Sequence, residues 1–216
     1  MKQSTSGKQR EGDQGWIRAL LDKISIHLTE TIETGNPLKS IARLYTLIYS
    51  FYLKVFYARR VELKGRIHAN GFFTIEVARG ARLTIEGDVT FKSGTLIGVR
   101  KNASLYIGSG CFFNRNCSIV CRDSITIGKD CLFGESVKIY DNDHKIANGK
   151  VSKSEYALAP ITIGNDCWLA NDVDVLKGSV IPDNCVIAAK GVVNRPLERE
   201  GIYAGIPVAF KKALPI

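Results

Sequence analysis

The feature that most constrains this fold is a six-residue period. From Ile107 onward an aliphatic residue returns every sixth position, often followed by Gly, Ala or Asn, two polar residues and a small residue. The clearest copies begin at Ile163 and read IGNDCW, LANDVD, VLKGSV, IPDNCV and IAAKGV. Weaker copies begin upstream at Ile85. Such a run of near-consecutive copies indicates a repeat architecture.

A period of six matches neither an amphipathic helix nor the alternation of a single strand. It suits short strands, each followed by a turn, wound into coils that hydrogen-bond to one another. The aliphatic positions then fill the interior, and Gly or Asn takes the tight corners. We therefore expect a mainly β chain with stacked parallel coils over residues 61–195.

The cysteines test this interpretation. Five of the six lie four positions after a repeat aliphatic residue, which predicts that they fill a small inward slot as unpaired thiols. The spacing places Cys111 and Cys131 one coil apart, with a two-residue corner excursion at 123–126, and Cys131 and Cys167 two coils apart. Cys185 follows one coil later, so four sulfurs would stack on one inner face. Cys121 is off-phase and is expected to be exposed. A disulfide or metal framework is the alternative, but the chain has no CxxC pair. The five inward positions are Cys111, Cys117, Cys131, Cys167 and Cys185.

The period breaks at residues 139–151, which read IYDNDHKIANGKV. Ile127 and Ile163 are 36 residues apart, so the break keeps the phase of the repeat while losing its pattern. Its Asn-Gly and Ser-rich composition predicts a loop that leaves the scaffold over about residues 145–160. The break also carries His144, one of only three histidines. A long loop on a rigid scaffold usually carries function.

The residues DNDH, a loop, and then ITIGNDCWLANDVDVLKGSVIPDNCVIAAKGVV and YAGIPVAFKK resemble the hexapeptide-repeat acyltransferases. The similarity is greatest to bacterial capsule and lipopolysaccharide O-acetyltransferases and covers about residues 61–212. It implies a left-handed parallel β-helix, acetyl-CoA as the donor, and a homotrimer with active sites between subunits. It also implies an enzyme of polysaccharide biosynthesis whose acceptor is a sugar hydroxyl. The polar start of the sequence, which has no secretory h-region, and the lack of 18 clean apolar residues in a row predict a cytoplasmic location.

An alcohol must lose its proton as it attacks a thioester, and histidine titrates near neutrality, so His144 suits the role of general base. The resemblance implies the same role. The group that orients the ring stays open among Asp141, Asp143, Glu135 and a backbone carbonyl. Asn142 is a candidate contact to the acceptor, and these four side chains are predicted to bind substrate. Asp141 and Asp143 as plain turn formers are the alternative.

Trp168 follows His144 by 24 residues and takes an outward position in its repeat. The resemblance implies that its ring lines the acetyl and acceptor pocket. We expect Trp168 to be a second catalytic residue, whose indole N–H donates a hydrogen bond near the thioester while the ring packs on the coenzyme or the sugar. Packing at a subunit interface is the alternative.

The resemblance also implies which residues hold acetyl-CoA. Backbone amides near IAAKGV would run along the pantetheine, cations would meet the phosphates, and the turn in YAGIPV would lie near the adenine. Ile206 stands in that turn where Asn is commoner. The predicted coenzyme contacts besides Trp168 are Ala188, Ala189, Lys190, Arg195, Gly205, Pro207, Lys211 and Lys212.

The N-terminal segment, residues 1–60, is expected to be a polar tail followed by helices. Residues 16–30 have helical spacing, and Pro37 opens a second helix that runs to about residue 58. Residues 1–66 hold 12 Lys and Arg against 6 Asp and Glu, within a formal net charge of +9. This segment either lies on the inner face of a membrane or docks on the first coils or a neighbouring subunit. Residues 196–216 are expected to pack near the coenzyme.

Other functions remain open. The acceptor could be an amine of a nucleotide-linked amino sugar, or a xenobiotic hydroxyl. A zinc enzyme resembling γ-carbonic anhydrases would need several histidines from adjoining coils, and the repeat region has only His68 and His144. We therefore expect no metal and no nucleic-acid partner. A non-catalytic binding scaffold is the remaining alternative.

Overall fold

A computed structural model describes residues 37–214, which form one helix followed by a parallel β-solenoid. Three sheets make its three faces, and each strand pairs in parallel with its counterpart in the next coil. This confirms the predicted fold class. The first face comprises β1 (Val61–Leu63), β4 (Arg82–Ile85), β7 (Ser104–Ile107), β10 (Ser124–Ile127), β15 (Ile161–Ile163) and β18 (Val180–Ile181). The second face comprises β2 (Ile67–Asn70), β5 (Val89–Lys92), β8 (Phe112–Phe113), β11 (Leu132–Phe133), β16 (Trp168–Leu169), β19 (Cys185–Ile187), β21 (Gly201–Gly205) and β22 (Val208–Lys212). The third face comprises β3 (Thr74–Val77), β6 (Leu96–Val99), β9 (Ser118–Cys121), β12 (Lys138–Tyr140), β17 (Asp174–Leu176) and β20 (Val192–Val193). A separate antiparallel pair is formed by β13 (Asn142–Ala147) and β14 (Lys150–Leu158).

The coils shorten along the chain. Leu83 pairs with Leu105, which is 22 residues on, and Leu105 pairs with Ile125, which is 20 residues on. The last full coil has 18 residues, since Ile163 pairs with Ile181. The predicted two-residue excess in the coil that joins Leu105 to Ile125 is confirmed. The six-residue period is therefore strict only near the C-terminal end, because earlier corners hold extra residues.

One prediction about the coil count is wrong. Ile127 pairs directly with Ile163, so the 36 residues between them make a single coil and not two. The surplus residues leave the solenoid as the β13–β14 hairpin. Cys131 and Cys167 are therefore in adjacent coils. Phase alone could not distinguish the two arrangements, because a wound coil and an excursion of equal length shift the repeat by the same amount.

Four stacked phenylalanines run through the interior of the solenoid. Phe91 lies between Phe73 and Phe113 with ring centroids 5.2 Å apart on both sides, and Phe113 lies 4.4 Å from Phe133. The last three side chains are at most 1% exposed. Stacked rings with offset contacts combine large apolar burial with favourable geometry, so this column is a major source of stability.

The corners take backbone conformations that few residues tolerate. Asn116, Asp130, Asp166 and Asn184 have φ between 53° and 60°. Asn and Asp enter this left-handed region more readily than other side chains do. The polar residues of the repeat thus serve the corners, as expected.

All six cysteines are buried and unpaired. The inward ones repeat the same contact from coil to coil. The thiol of Cys111 donates to the carbonyl of Gly128 at 3.1 Å, and the thiol of Cys131 donates to that of Gly164 at 3.1 Å. The predicted inward slot is confirmed for all five in-phase cysteines.

The prediction that Cys121 is exposed is wrong, because its side chain is 0% exposed. Cys121 ends β9, two residues after Ile119, and pairs with Val99. Side chains two apart in a strand lie on the same side, so strand alternation places Cys121 inside although it is off-phase in the repeat.

Helix α1 (Pro37–Phe56) covers the N-terminal end of the solenoid. Pro37 opens it as predicted, and it ends two residues before the predicted boundary. The hydroxyl of Tyr45 donates to the carbonyl of Phe73 at 2.7 Å, and the Tyr49 ring lies 5.1 Å from the Phe73 ring. The helix therefore docks on the first coil. The predicted helix at 16–30 and the polar tail lie outside the described residues. No helix within residues 37–214 is long and apolar enough to cross a membrane.

Candidate active site

The break in the repeat forms a hairpin and not an irregular loop. Its strands β13 and β14 pair in antiparallel fashion around a turn at Asn148 and Gly149, with φ of 52° and 71°. Two central residues with positive φ are typical of the tight turns that Asn-Gly sequences favour. The hairpin begins at Asn142, three residues before the predicted start, so His144 lies on its first strand.

Asp141 fastens the root of the hairpin to the solenoid. Its side chain is 0% exposed. Its carboxylate accepts hydrogen bonds from the backbone N–H groups of Arg122 and Asp123, each at 2.8 Å, and from the Asn142 amide at 3.2 Å. Its carbonyl accepts from the Ala159 N–H at 3.1 Å, which closes the root. Asp141 therefore stabilises the corner and does not contact His144.

The other predicted substrate contacts also have partners elsewhere. Asp143 forms an ion pair with Lys177 at 3.1 Å, and Glu135 forms one with Arg115 at 3.6 Å. The Asn142 amide donates to the carbonyl of Val120 at 3.3 Å. The carboxylates that the sequence left open as the orienting group thus lie near the hairpin or on the adjacent coil, each engaged with another group.

His144 is oriented by a backbone carbonyl. The ring is exposed, and Nδ1 lies 2.8 Å from the carbonyl oxygen of Ser152 across the hairpin. A carbonyl only accepts, so Nδ1 donates its proton to it, and in the neutral tautomer the lone pair is then on Nε2. Nε2 has no hydrogen-bond partner within residues 37–214.

An irregularity in the hairpin brings this carbonyl to the ring. His144 pairs with Tyr156 and Ile146 with Val151, so one residue on β13 faces four on β14. The Ser152 hydroxyl accepts from the N–H of Glu155 at 3.0 Å and of Ser154 at 3.4 Å, which holds the bulge together. Bulges often re-aim groups beside active sites.

Trp168 lies on the outside of the second face. It is 51% exposed, as the outward position predicted, and pairs with Leu132 and Val186. Phe112 and Ile202 extend the same outward row at its two ends. The hairpin leaves the solenoid where the third face turns into the first. His144 and Trp168 therefore lie on different parts of the surface of one chain.

The predicted coenzyme residues lie on the last coils. Gly205 pairs with Val208, which confirms the predicted chain reversal around Pro207. The predicted cations lie on the surface of these coils, and all four are exposed. They are Lys190, Arg195, Lys211 and Lys212.

Two backbone amides near these residues have no hydrogen-bond partner within residues 37–214. One coil before Asn171, the backbone N–H of Glu135 donates to the Asn171 side chain at 2.9 Å. One coil after Asn171, the equivalent position is Ala189, whose side chain cannot accept a hydrogen bond. The N–H groups of Asn171 and Ala189 are therefore left without a partner in the described part of the chain. The neighbouring Ala188 and Lys190 amides donate to carbonyls at 2.8 and 2.9 Å.

Sequence reasoning missed Ser152, Tyr156, Arg122 and Asn171. Ser152 meets His144 only because of the bulge, and Tyr156 and Arg122 come close because of the register of the hairpin, and no periodic pattern specifies either. The Asn171 amide had a signal, since alanine follows asparagine at this repeat position one coil later.

Within residues 37–214, no three His, Cys, Asp or Glu side chains are grouped so that they could hold a metal. Independence from metals stays a prediction.

Comparison with known proteins gives consistent results. No protein-family model matches the chain. Galactoside O-acetyltransferase of Escherichia coli is 28% identical over 173 residues, which cover 80% of this chain and 78% of the relative. The putative lipopolysaccharide biosynthesis O-acetyl transferase WbbJ of the same organism is 26% identical, with 59% of this chain and 72% of the relative covered.

Solved structures resemble the fold at lower identity. The hexapeptide-repeat-containing acetyltransferase VCA0836 of Vibrio cholerae, complexed with acetyl coenzyme A, matches with a TM-score of 0.53 and 19% identity, over 100% of this chain and 94% of that one. A point mutant of the N-acyltransferase AntD of Bacillus cereus, in complex with dTDP and coenzyme A, matches with a TM-score of 0.58 and 16% identity, over 76% of this chain and 88% of that one.

The predicted resemblance to hexapeptide-repeat acyltransferases is confirmed by these relatives and by the fold. The names of the two curated relatives support the predicted enzyme class, an acyltransferase.

Proposed function

We propose that this chain, which has the fold of the hexapeptide-repeat acetyltransferases, moves an acetyl group from acetyl-CoA to a sugar hydroxyl with His144 as general base. The observation that carries this proposal is the 2.8 Å contact between Nδ1 of an exposed His144 and the Ser152 carbonyl. In the neutral tautomer this contact directs the lone pair to Nε2, on the protruding hairpin. A histidine side chain arranged in this way can act as a general base.

The reaction is a direct transfer. Nε2 of His144 takes the hydroxyl proton as the acceptor oxygen attacks the thioester carbonyl. The tetrahedral intermediate collapses, the carbon–sulfur bond breaks, and the departing sulfur takes the proton back from the imidazolium to give free coenzyme A. The buried cysteines are not available as nucleophiles, since all six are within the solenoid.

Two features of the last coils support an acetyl-CoA site there. The open N–H groups of Asn171 and Ala189 can donate to the amide carbonyls of a pantetheine arm. The exposed cations Lys190, Arg195, Lys211 and Lys212 can meet its phosphates. Gly205 and Pro207 form the adjacent reversal, where the adenine would rest. The structural relatives that hold coenzyme A or acetyl-CoA support this donor.

The acceptor is proposed from the sequence relatives. Two of them carry O-acetyltransferase names, for a galactoside and for lipopolysaccharide biosynthesis. The acceptor that we propose first is therefore a surface polysaccharide or its precursor, with Asp143, Asn142 and Glu135 as the residues that contact it. The alternative is an amine of a nucleotide-linked amino sugar, which the N-acyltransferase with dTDP and coenzyme A favours. A xenobiotic hydroxyl is the third possibility.

We place the active site between subunits of a homotrimer. His144 and Trp168 lie on different parts of one chain, so a common site needs the hairpin of one copy beside the second face of another. The outward row on that face supports such a contact, because Leu132 and Trp168 are each 51% exposed. Apolar side chains in a continuous exposed row are typical of interaction surfaces. A sizing column coupled to light scattering gives the subunit number directly.

Helix α1 supports the proposed contact with the inner face of a membrane. Ile41, Ile48, Val55 and Phe56 are each more than half exposed, although the opposite side of the helix docks on the solenoid. Co-sedimentation with anionic vesicles, compared between the wild type and Phe56→Asp, tests this contact. Equal sedimentation of the two proteins would remove the membrane from the proposal.

The function is tested by thiol release from acetyl-CoA against a panel of galactosides, maltose, oligosaccharides and amino-sugar nucleotides. We expect His144→Ala to lower turnover by about 10²–10⁴-fold, the usual contribution of a general base. Lys150→Ala, near the tip of the same hairpin, is the matched control and should keep wild-type turnover. Base-labile product esters identify O-acetylation. Wild-type turnover in His144→Ala would refute the mechanism.

A further inference from the structure

Tyr156 is the cross-strand neighbour of His144. The two residues are directly paired across the hairpin, and their ring centroids are 4.6 Å apart with planes inclined by 41°. This contact is separate from the hydrogen bond to the Ser152 carbonyl. The imidazole thus has two partners, one at Nδ1 and one at its ring surface.

Tyr156 is in turn held by a cation from the preceding coil. The Arg122 guanidinium carbon lies 3.6 Å from the centre of the Tyr156 ring. This separation is well within the range of a cation–π contact. Arg122 Nε is buried and has no hydrogen-bond partner within residues 37–214, so stacking is the principal contact that orients this guanidinium.

The position of Arg122 is fixed by the root of the hairpin. Its backbone N–H donates to Asp141 at 2.8 Å, and Arg122 directly follows the buried Cys121. A series of contacts therefore joins the rigid solenoid to the exposed imidazole, from Asp141 through Arg122 and Tyr156 to His144.

His144 needs such support because the hairpin contributes no core. All residues of β13 after Asn142 are exposed. A single hydrogen bond at Nδ1 fixes one direction but leaves the ring free to turn about it. A second contact at the ring surface removes that freedom and so fixes where Nε2 points.

We propose that Tyr156, anchored by Arg122, is a positioning residue that holds His144 in its reactive orientation. This inference rests on the proposed function. It does not require Tyr156 to touch either substrate, and the ring is the part that matters. The phenol hydroxyl has no hydrogen-bond partner within the described residues, so phenylalanine should serve as well.

The test compares four variants by thiol release from acetyl-CoA, with the acceptor of the panel above that gives the highest turnover. Tyr156→Ala should lower kcat by about 10- to 100-fold, since small displacements of a catalytic group cost up to two orders of magnitude. The KM for acetyl-CoA should stay unchanged, and Tyr156→Phe should stay within about two-fold of wild type. Val151→Ala, elsewhere on β14, is the matched control. Arg122→Met should reproduce part of the Tyr156→Ala loss.

A spectroscopic readout does not depend on the acceptor. The ring protons of His144 can be assigned among three histidines by their loss in His144→Ala. Their chemical shifts should move in Tyr156→Ala and stay in Tyr156→Phe, because only alanine removes the ring current. Far-UV circular dichroism confirms that each variant is folded.

The outcomes separate the two proposals. Wild-type kcat in Tyr156→Ala, beside an inactive His144→Ala, refutes the positioning role and leaves the function standing. Unmoved His144 signals in Tyr156→Ala also refute the positioning role, because they mean that the rings do not stack in solution. Wild-type turnover in His144→Ala refutes the function, and this inference with it.

Discussion

Asp141 and Asp143 are two residues apart, yet the structure assigns them different contributions to stability. Asp141 is fully buried and accepts from two backbone N–H groups and a side-chain amide. Asp143 is 56% exposed in its side chain and pairs with Lys177. Replacing each by Asn keeps the size of the side chain and removes its charge, so the two variants form a matched pair.

The expected cost follows from these contacts. In Asp141→Asn one oxygen becomes an amide group that faces a backbone donor, so one or two bonds to a charged acceptor are lost. Such bonds contribute about 1.5–3 kcal/mol each, so the loss of one or two gives about 1.5–6 kcal/mol. An exposed ion pair contributes at most about 1 kcal/mol, so Asp143→Asn should cost less than that. For a chain of this size, these costs correspond to about 3–24 °C for Asp141→Asn and less than about 4 °C for Asp143→Asn in melting temperature.

Thermal unfolding at pH 7, followed by circular dichroism, measures both variants under the same conditions. Asp141→Asn should also lose turnover, because the corner that carries Arg122 and the start of β13 would loosen. Hydrogen exchange should show the Arg122 and Asp123 amides less protected in this variant alone. Equal melting temperatures for the two variants, or a larger loss in Asp143→Asn, would refute the assignment of Asp141 to the root of the hairpin.

Three further predictions concern the solenoid. Phe113→Ala should melt well below Phe112→Ala, because Phe113 is 0% exposed between two rings whereas its neighbour faces outward, and removal of a buried Phe costs about 3–5 kcal/mol; similar melting curves would contradict the inward column. All six thiols are buried, and burial raises the pKa of Cys117 to about 11 and that of Cys185 to about 12, so none should react with a disulfide reagent at pH 8 until denaturant is added; rapid reaction of one thiol in the native protein would contradict this burial. Hydrogen bonds from the Arg66 backbone, the His68 side chain and the Arg66 side chain lower the pKa of Asp88 from 3.8 to about 2. The ionised carboxylate therefore stabilises the folded protein fully above about pH 4, and this contribution is lost as the pH falls through about 2. The difference in melting temperature between wild type and Asp88→Asn should therefore be present at pH 6 and shrink toward pH 2, and a constant difference would exclude this carboxylate as its source.

The repeat was readable from sequence because it is enforced by burial. Every coil must present an apolar residue inward at each face, so the period appears directly in the chain and predicted the inward cysteines and the outward Trp168. Cys121 was misplaced because the alternation within β9 overrides the repeat phase at a corner of irregular length. The predicted number of coils between Ile127 and Ile163 was wrong because the phase of the repeat is the same whether the intervening residues wind into an extra coil or leave the solenoid as a hairpin.

The candidate site was only partly readable, for a different physical reason. His144 stood out by its rarity and by the break around it. Its partners did not, because the Tyr156 ring reaches it through the register of the hairpin and the Ser152 carbonyl through the bulge, and no periodic pattern in the sequence specifies either. Four carboxylate and amide side chains close by in sequence were plausible partners on chemistry alone, and the fold gave them other contacts.

The direct pairing of Ile127 with Ile163 means that the hairpin departs from the wall of the solenoid and rejoins it at almost the same point. The hydrogen bond between the Asp141 carbonyl and the Ala159 amide seals that junction. Insertions or deletions beyond the junction leave the stacking of successive coils unchanged, and the entropy of closing such an excursion grows only slowly with its length. Mutation can therefore lengthen, shorten or replace this hairpin without unfolding the solenoid, so the residues beside the acceptor can change during evolution at little cost in stability.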